Sequence, residues 1–211
     1  LAWRADWGGA WRAASLLRAY ESRVDVGNAR NNGVASLRPN NFADRVIEAQ
    51  ASAQPRAGRL LTAGAEGRDE KLFNAGLPGG AAQARHAAAY AQAELEFDPA
   101  LSLTAGLRHD RHERFGREWS PRVYAVWRPA PGWVVKGGAG HGFKAPSLKQ
   151  ISPDYREDEG PNTYVGNAAL RPETSDAAEI GVAWDRSELG IQLMAFASRV
   201  ENPIVPRLLR Q

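Results

Sequence analysis

The stretch RHAAAYAQAELEFDPALSLTAGLRHDRHE, Arg85–Glu113, decides the fold. Its period is two. Within Arg85–Asp98, Ala89, Ala91, Ala93, Leu95 and Phe97 fall on one face, and Tyr90, Gln92, Glu94 and Glu96 on the other. Within Ala100–Glu113, Leu101, Leu103, Ala105 and Leu107 share a face, opposite Ser102, Thr104, Arg108 and Asp110. Successive strand residues point to opposite sides, so each segment makes a strand with one apolar and one polar face. Asp98-Pro99 supplies the tight turn that joins them. Ala81–Ala93 is the only helix-like stretch of the chain. Its helix propensity is high, but the alternation after Ala89 favours a strand.

The same unit recurs outward from this hairpin. Leu1–Trp7 and Ala10–Glu21 join through Gly8-Gly9, and Ala43–Gln54 and Gly58–Asp69 through a turn containing Pro55. Ser120–Arg128 and Trp133–Phe143 join through Pro129–Gly132, and Ala177–Asp185 and Leu189–Arg199 through Arg186–Glu188. Longer polar connections separate the hairpins at Ser22–Phe42, Glu70–Ala84 and Lys144–Arg171, with a short one near Phe115–Trp119. Short turns alternating with long loops are the habit of an antiparallel up-and-down transmembrane β-barrel, here with about ten strands. A strand of ~14 residues at ~3.4 Å per residue runs ~48 Å, and tilted by ~40° it overtops an apolar band of ~25 Å. A soluble antiparallel sandwich or propeller is the competing all-β reading, with shorter strands and more even loops. Trp3, Trp7, Trp11, Trp119, Trp127, Trp133 and Trp184 sit near strand ends or on outward faces, where either an interfacial girdle or ordinary hairpin packing would place them.

Bulk composition narrows the field. The 211 residues carry a net charge of +3 and no cysteine. Disulfides, thiolate metal sites and cysteine nucleophiles are excluded. The basic residues are scattered, without the stripe a nucleic-acid partner requires. No apolar run is long enough for a transmembrane helix, but barrel strands alternate and never look apolar in a window. No charged n-region followed by an apolar h-region is visible in the sequence, and Leu1–Trp7 already reads as strand.

One insertion carries a family signature. GFKAPSLKQISPDY at Gly142–Tyr155 is followed by GN at Gly166-Asn167 and LRPETSDAAEIGV at Leu170–Val182. WSPRVYAVWRPAPGWVVKGGAGHGFKAPS at Trp119–Ser147 leads into it, and FASRVENPI at Phe196–Ile204 follows. GAEGRDEKL at Gly64–Leu72 adds a weaker match. These motifs resemble the barrel of TonB-dependent outer-membrane receptors, most closely the colicin I receptor and ferric-catecholate branch. The resemblance implies an all-β fold in which residues 1–211 are a partial barrel domain of a larger plugged barrel of about twenty-two strands. The plug, the TonB-binding segment and the C-terminal strands would lie outside the sequence. Strand W-S-P-R would open at Trp119, and Gly137, Gly138, Gly140 and Gly142 would leave room beside the lumen filling.

The same resemblance implies transport across the Gram-negative outer membrane rather than catalysis. Cargo would be a ferric siderophore, with iron held by the siderophore and no cofactor or metal ligand from the chain. Partners would be TonB, outer-membrane lipid and lipopolysaccharide, and colicin-type bacteriocins or phage; cobalamin or a glycan is the alternative cargo. A small barrel enzyme and a soluble binding module are the other classes. A ferric catecholate is anionic, so Lys144, Lys149, Tyr155, Arg156, Tyr164, Arg38 and Lys71 are the candidate ligand contacts, each also readable as a solubilising loop residue. Arg108, Asp110, Glu94, Glu96, Arg122, Glu66 and Glu179 should face the lumen.

Three enzyme-like patterns fail. GGAGHGFK at Gly137–Lys144 lacks the spacing and following helix of a phosphate loop. His109 and His112, three apart on a strand, point to opposite faces. Glu157–Glu159 reads as a solvated acidic loop before it reads as a calcium site.

Overall fold

The computed structural model describes residues 1–27, 40–159 and 162–208. Among these, ten strands form one antiparallel sheet, each paired with its neighbours in the chain. They are β1 (Ala2–Gly8), β2 (Ala13–Val26), β3 (Asn40–Arg56), β4 (Arg59–Phe73), β5 (Ala81–Asp98), β6 (Leu101–His112), β7 (Gly116–Trp127) and β8 (Trp133–Lys144). Between β8 and the last pair lie a one-turn helix, α1 (Leu148–Ile151), and a small hairpin of β9 (Arg156–Glu159) and β10 (Asn162–Val165). The sheet closes on β11 (Glu173–Arg186), which pairs with β8, and β12 (Leu189–Glu201).

Register settles which side chains share a face. Ala93 lies opposite Leu61 and Ala105, and Gln92 opposite Thr62 and Gly106. One face therefore carries Leu17, Ile47, Leu61, Phe97, Leu107, Val123, Ile180, Ile191 and Leu193, all left exposed. A patch of that size is a liability in water and is stable against lipid. Trp3, Trp7, Phe97, Trp127 and Trp133 border it at the short-turn end, and Trp3–Trp7 and Trp133–Trp184 contact in pairs. Interfacial aromatics take such a position. The other face, which the segment after β8 covers, carries Arg18, Glu48, Glu66, Glu94, Arg108, Asp110, Arg122 and Glu179. Arg18 donates to Glu48 at 2.6 Å, and Arg122 donates to Gln92.

Glycines on this polar face seat aromatic rings. Tyr90 lies opposite Gly64 and Tyr124 opposite Gly138. A methyl group at either glycine would stand 2.5 Å from the facing ring. The expectation that Gly137, Gly138, Gly140 and Gly142 leave open space is thus corrected. Gly138 is covered by Tyr124, and Gly137 faces outward beside Ile180.

Several strands outrun their expected limits. β2 continues through Val26, β4 through Phe73, and β5 begins at Ala81. β7 opens at Gly116 (φ 79°), not at Trp119, so the W-S-P-R motif is mid-strand. Pro121 has no N–H, and the β7–β8 ladder stops beside it, running only from Arg122–Gly140 to Trp127–Val135. Beyond that point His141 spans the parted strands, 2.8 Å from Asp176 Oδ1 and 3.7 Å from Glu118 Oε1.

Candidate ligand-binding vestibule

The long polar connection after β8 carries ordered elements of its own. Ser147 donates its backbone N–H to Gln150 Oε1 at 2.9 Å, which closes the first turn of α1. Ser152 Oγ donates to the Leu148 carbonyl at 2.7 Å and ends it. Leu148 and Ile151 then pack with Leu72 of β4, Ala84 of β5, Leu77 and Tyr155. Leu72 and Tyr155 are 0% exposed. Phe42, Phe115, Tyr164 and Leu170 pack against this cluster, so the insertion crosses the polar face and is pinned to the far wall.

Two close backbone approaches hold the path. A side chain on Gly166 would strike the carbonyls of Ser152 and Lys149, and one on Gly76 would meet the Asp154 carbonyl at 2.7 Å. Asn167 donates to the Gln150 carbonyl at 2.6 Å. Only glycine allows such contact without displacing the neighbouring chain.

Three expected ligand contacts come together here. The Lys149 ammonium lies 5.0 Å above the Tyr164 ring, and the Tyr155 and Tyr164 rings meet edge-on at 6.1 Å. Lys149 and Tyr164 are partly exposed. Tyr155 presents no surface, because its ring fills the apolar cluster; it anchors the loop instead of stacking on cargo. Arg156 turns its guanidinium back onto the Tyr155 carbonyl at 2.9 Å and onto the Pro153 carbonyl. Lys144 is exposed at the end of β8, opposite Glu173. Lys71 does not join them. It faces outward on β4, in a recess with Arg23, Arg45 and Asp69, because it is the immediate neighbour of inward-facing Leu72 and successive strand residues alternate. Arg38 lies outside the described residues. The acidic run Glu157–Glu159 falls on β9, outside the residues whose side chains are described.

Below the vestibule a polar wall emerges that no motif announced. Asp110, 5% exposed, accepts from Arg108 Nε at 3.0 Å and lies 2.8 Å from His86 Nε2. The His112 ring, also buried, stands 6.0 Å from His86 and 5.0 Å from Phe115. His109 points the other way, stacked on Trp119 at 4.2 Å. Cross-strand register assembles the wall, since His86 faces His112 and Ala88 faces Asp110. An adjacent trough of about 700 Å³ is lined by Gln92, Glu94, Thr104, Arg122, Tyr124 and Glu179.

The TonB dependent receptor-like, beta-barrel family matches residues 1–210. The chain belongs to that family. Its barrel is an outer-membrane one, and the apolar face described above is its lipid face. An iron-regulated outer membrane virulence protein of Vibrio cholerae is 40% identical over 103 residues, 48% of this chain and 16% of that protein. The ferric enterobactin receptor PirA of Pseudomonas aeruginosa is 34% identical over 132 residues, 57% of this chain and 18% of that protein. The chain thus spans less than a fifth of either relative. The crystal structure of the siderophore receptor PirA from Pseudomonas aeruginosa superposes with a TM-score of 0.74 at 25% identity, covering 93% of this chain and 41% of that one.

Proposed function

We propose that this chain is one stretch of wall, with a folded extracellular insertion, in a larger plugged barrel that imports ferric siderophores of the catecholate class. The reading places it nearest the ferric-catecholate and colicin I branch. The observation that carries it is the insertion after β8. A loop tied across the lumen by its own apolar cluster presents Lys149 against the Tyr164 ring, beside exposed Lys144 at the barrel rim. Cations over aromatic rings suit an anionic, ring-bearing cargo. One relative supports the same cargo, being named a ferric enterobactin receptor, and a second is named an iron-regulated outer membrane virulence protein.

In this mechanism the chain does no covalent chemistry. The insertion captures cargo at the outer rim, the polar wall of Arg108, Asp110 and His86 holds the plug in place, and TonB acting on the plug releases it. Iron stays within the siderophore, and the chain supplies no ligand to it. The test is uptake of radiolabelled iron from ferric enterobactin by cells whose sole catecholate receptor is the full-length protein carrying this segment. TonB-dependent uptake is expected. A surface-displayed receptor that passes cobalamin or a glycan but no ferric catecholate would overturn the cargo assignment.

A further inference from the structure

The turn between β6 and β7 ties the vestibule to the lumen wall beneath it. Phe115 in that turn packs against the apolar cluster that docks the insertion. Its ring stands 5.0 Å from the ring of His112, the last residue of β6. The Arg114 backbone N–H donates to His112 Nδ1 at 3.2 Å, which fixes the start of the turn. A ring nitrogen that accepts carries no proton, so the docked structure holds His112 neutral, with its N–H on Nε2. Burial of the side chain favours the same form.

A charge on this ring would find little to balance it. His86 of β5 faces it across the ladder, with the ring centres 6.0 Å apart. Asp110 of β6 is already engaged by Arg108 and His86. In the turn, the Glu113 carboxylate accepts the Arg85 backbone N–H at 2.9 Å, and the Arg114 guanidinium reaches the Gln83 carbonyl at 3.5 Å. β7 places Gly116 opposite His112, and Arg68 of β4 stands one strand beyond His86. The insertion brings Leu148, Ile151 and Tyr155 to the apolar cluster. A proton on Nδ1 would set N–H against N–H, break the turn hydrogen bond and place a cation beside Phe115 and His86.

We propose that His112 is an acid-sensitive latch on the vestibule: neutral, it holds Phe115 and the insertion docked, and protonated it lets both go. Undocking returns the ring to water, where an imidazole titrates near pH ~6.5. The undocked state therefore binds the extra proton. Docking is at full strength above that pH and weakens as pH falls below it. The limit for one proton is about tenfold per pH unit, or roughly 30-fold between pH ~6.5 and ~5. Weaker cargo capture in acid rests on the vestibule reading above; the latch itself acts on docking and is tested without cargo.

The test is hydrogen exchange in the detergent-purified full-length receptor between pH ~7.5 and ~5, each rate divided by the chemical exchange rate at that pH. The reporters are the Ile151, Tyr155 and Asn167 amides of the insertion, all hydrogen-bonded when it is docked. Corrected exchange should rise by up to roughly 30-fold in the wild type as pH falls. It should stay flat in His112→Asn, whose amide oxygen can accept the Arg114 N–H but takes no proton. The chain's other three histidines serve as controls, and His86→Gln, His109→Gln and His141→Gln should each keep the rise. A flat corrected profile in the wild type would overturn the latch whatever the variants do. So would a rise that survives in His112→Asn, or one that disappears in any of the three control variants.

Discussion

Truncating Leu72 to alanine should open the vestibule without unfolding the barrel. Leu72 is fully buried on β4, and it meets Leu148, Ile151 and Tyr155 of the insertion. Removing its methyl groups forfeits transfer energy and leaves a cavity that the flat strand behind it cannot collapse to fill. Buried leucines cut to alanine lose about 2.7–5 kcal/mol. Most of the lost contacts are to the insertion, so the deficit falls on loop docking. Even the lower figure raises the undocked population roughly 100-fold. Trypsin reads that population directly, because Lys149 and Arg156 lie within the docked segment. Cleavage after these residues in the folded receptor should accelerate by about two orders of magnitude while opening remains fast relative to cutting. Ferric-cargo affinity should fall with it. Val46→Ala removes a buried side chain from the same wall outside the cluster, and should leave the cleavage rate unchanged. Refutation would be an intact Leu72→Ala barrel whose insertion resists trypsin as well as the wild type does.

Three further outcomes follow from the geometry. Gly138→Ala sets a methyl 2.5 Å from both the Tyr124 ring and the Val123 carbonyl, and should destabilise the barrel by about 1–3 kcal/mol in detergent unfolding, with partial relief from Tyr124→Ala. Gly166→Ala should abolish cargo binding while the barrel still folds, read by binding together with heat-modifiable migration, because the added carbon strikes two loop carbonyls. Asp110→Ala strips the acceptor from Arg108 and His86 and should cost about 1–3 kcal/mol of stability in the same unfolding assay.

Much of the wall was legible from alternation, and the reasons it stopped being legible are physical. In β5 and β6 lipid on one side and polar lumen on the other impose opposite chemistries on odd and even positions, so the faces of Ala89–Phe97 and Leu101–Leu107 follow from sequence. Above the lipid the outward face is wet and the inward face is polar except where the insertion covers it. Ser22–Val26, Glu70–Phe73 and Ala81–Ala84 lose the contrast and read as loop, although their ladders continue. The faces of Lys71 and Leu72 differ by one step, which composition cannot assign without register. Tyr155 looked like a ligand contact because aromatic loop residues often are, and its burial depends on Leu72 and Ala84, seventy and more residues away. The His86–Asp110–Arg108 wall exists only through cross-strand pairing, so no linear motif marks it.

The central claim is that odd and even positions of these strands face lipid and lumen. The chain has no cysteine, so single cysteines can be placed along β5 at Ala89, Tyr90, Ala91, Gln92, Ala93 and Glu94 in the full-length receptor, spin-labelled, and reconstituted in bilayers. Relaxation by lipid-dissolved oxygen should be strong at 89, 91 and 93 and weak at 90, 92 and 94. A profile without that two-residue alternation, or with its phase reversed, would contradict the account.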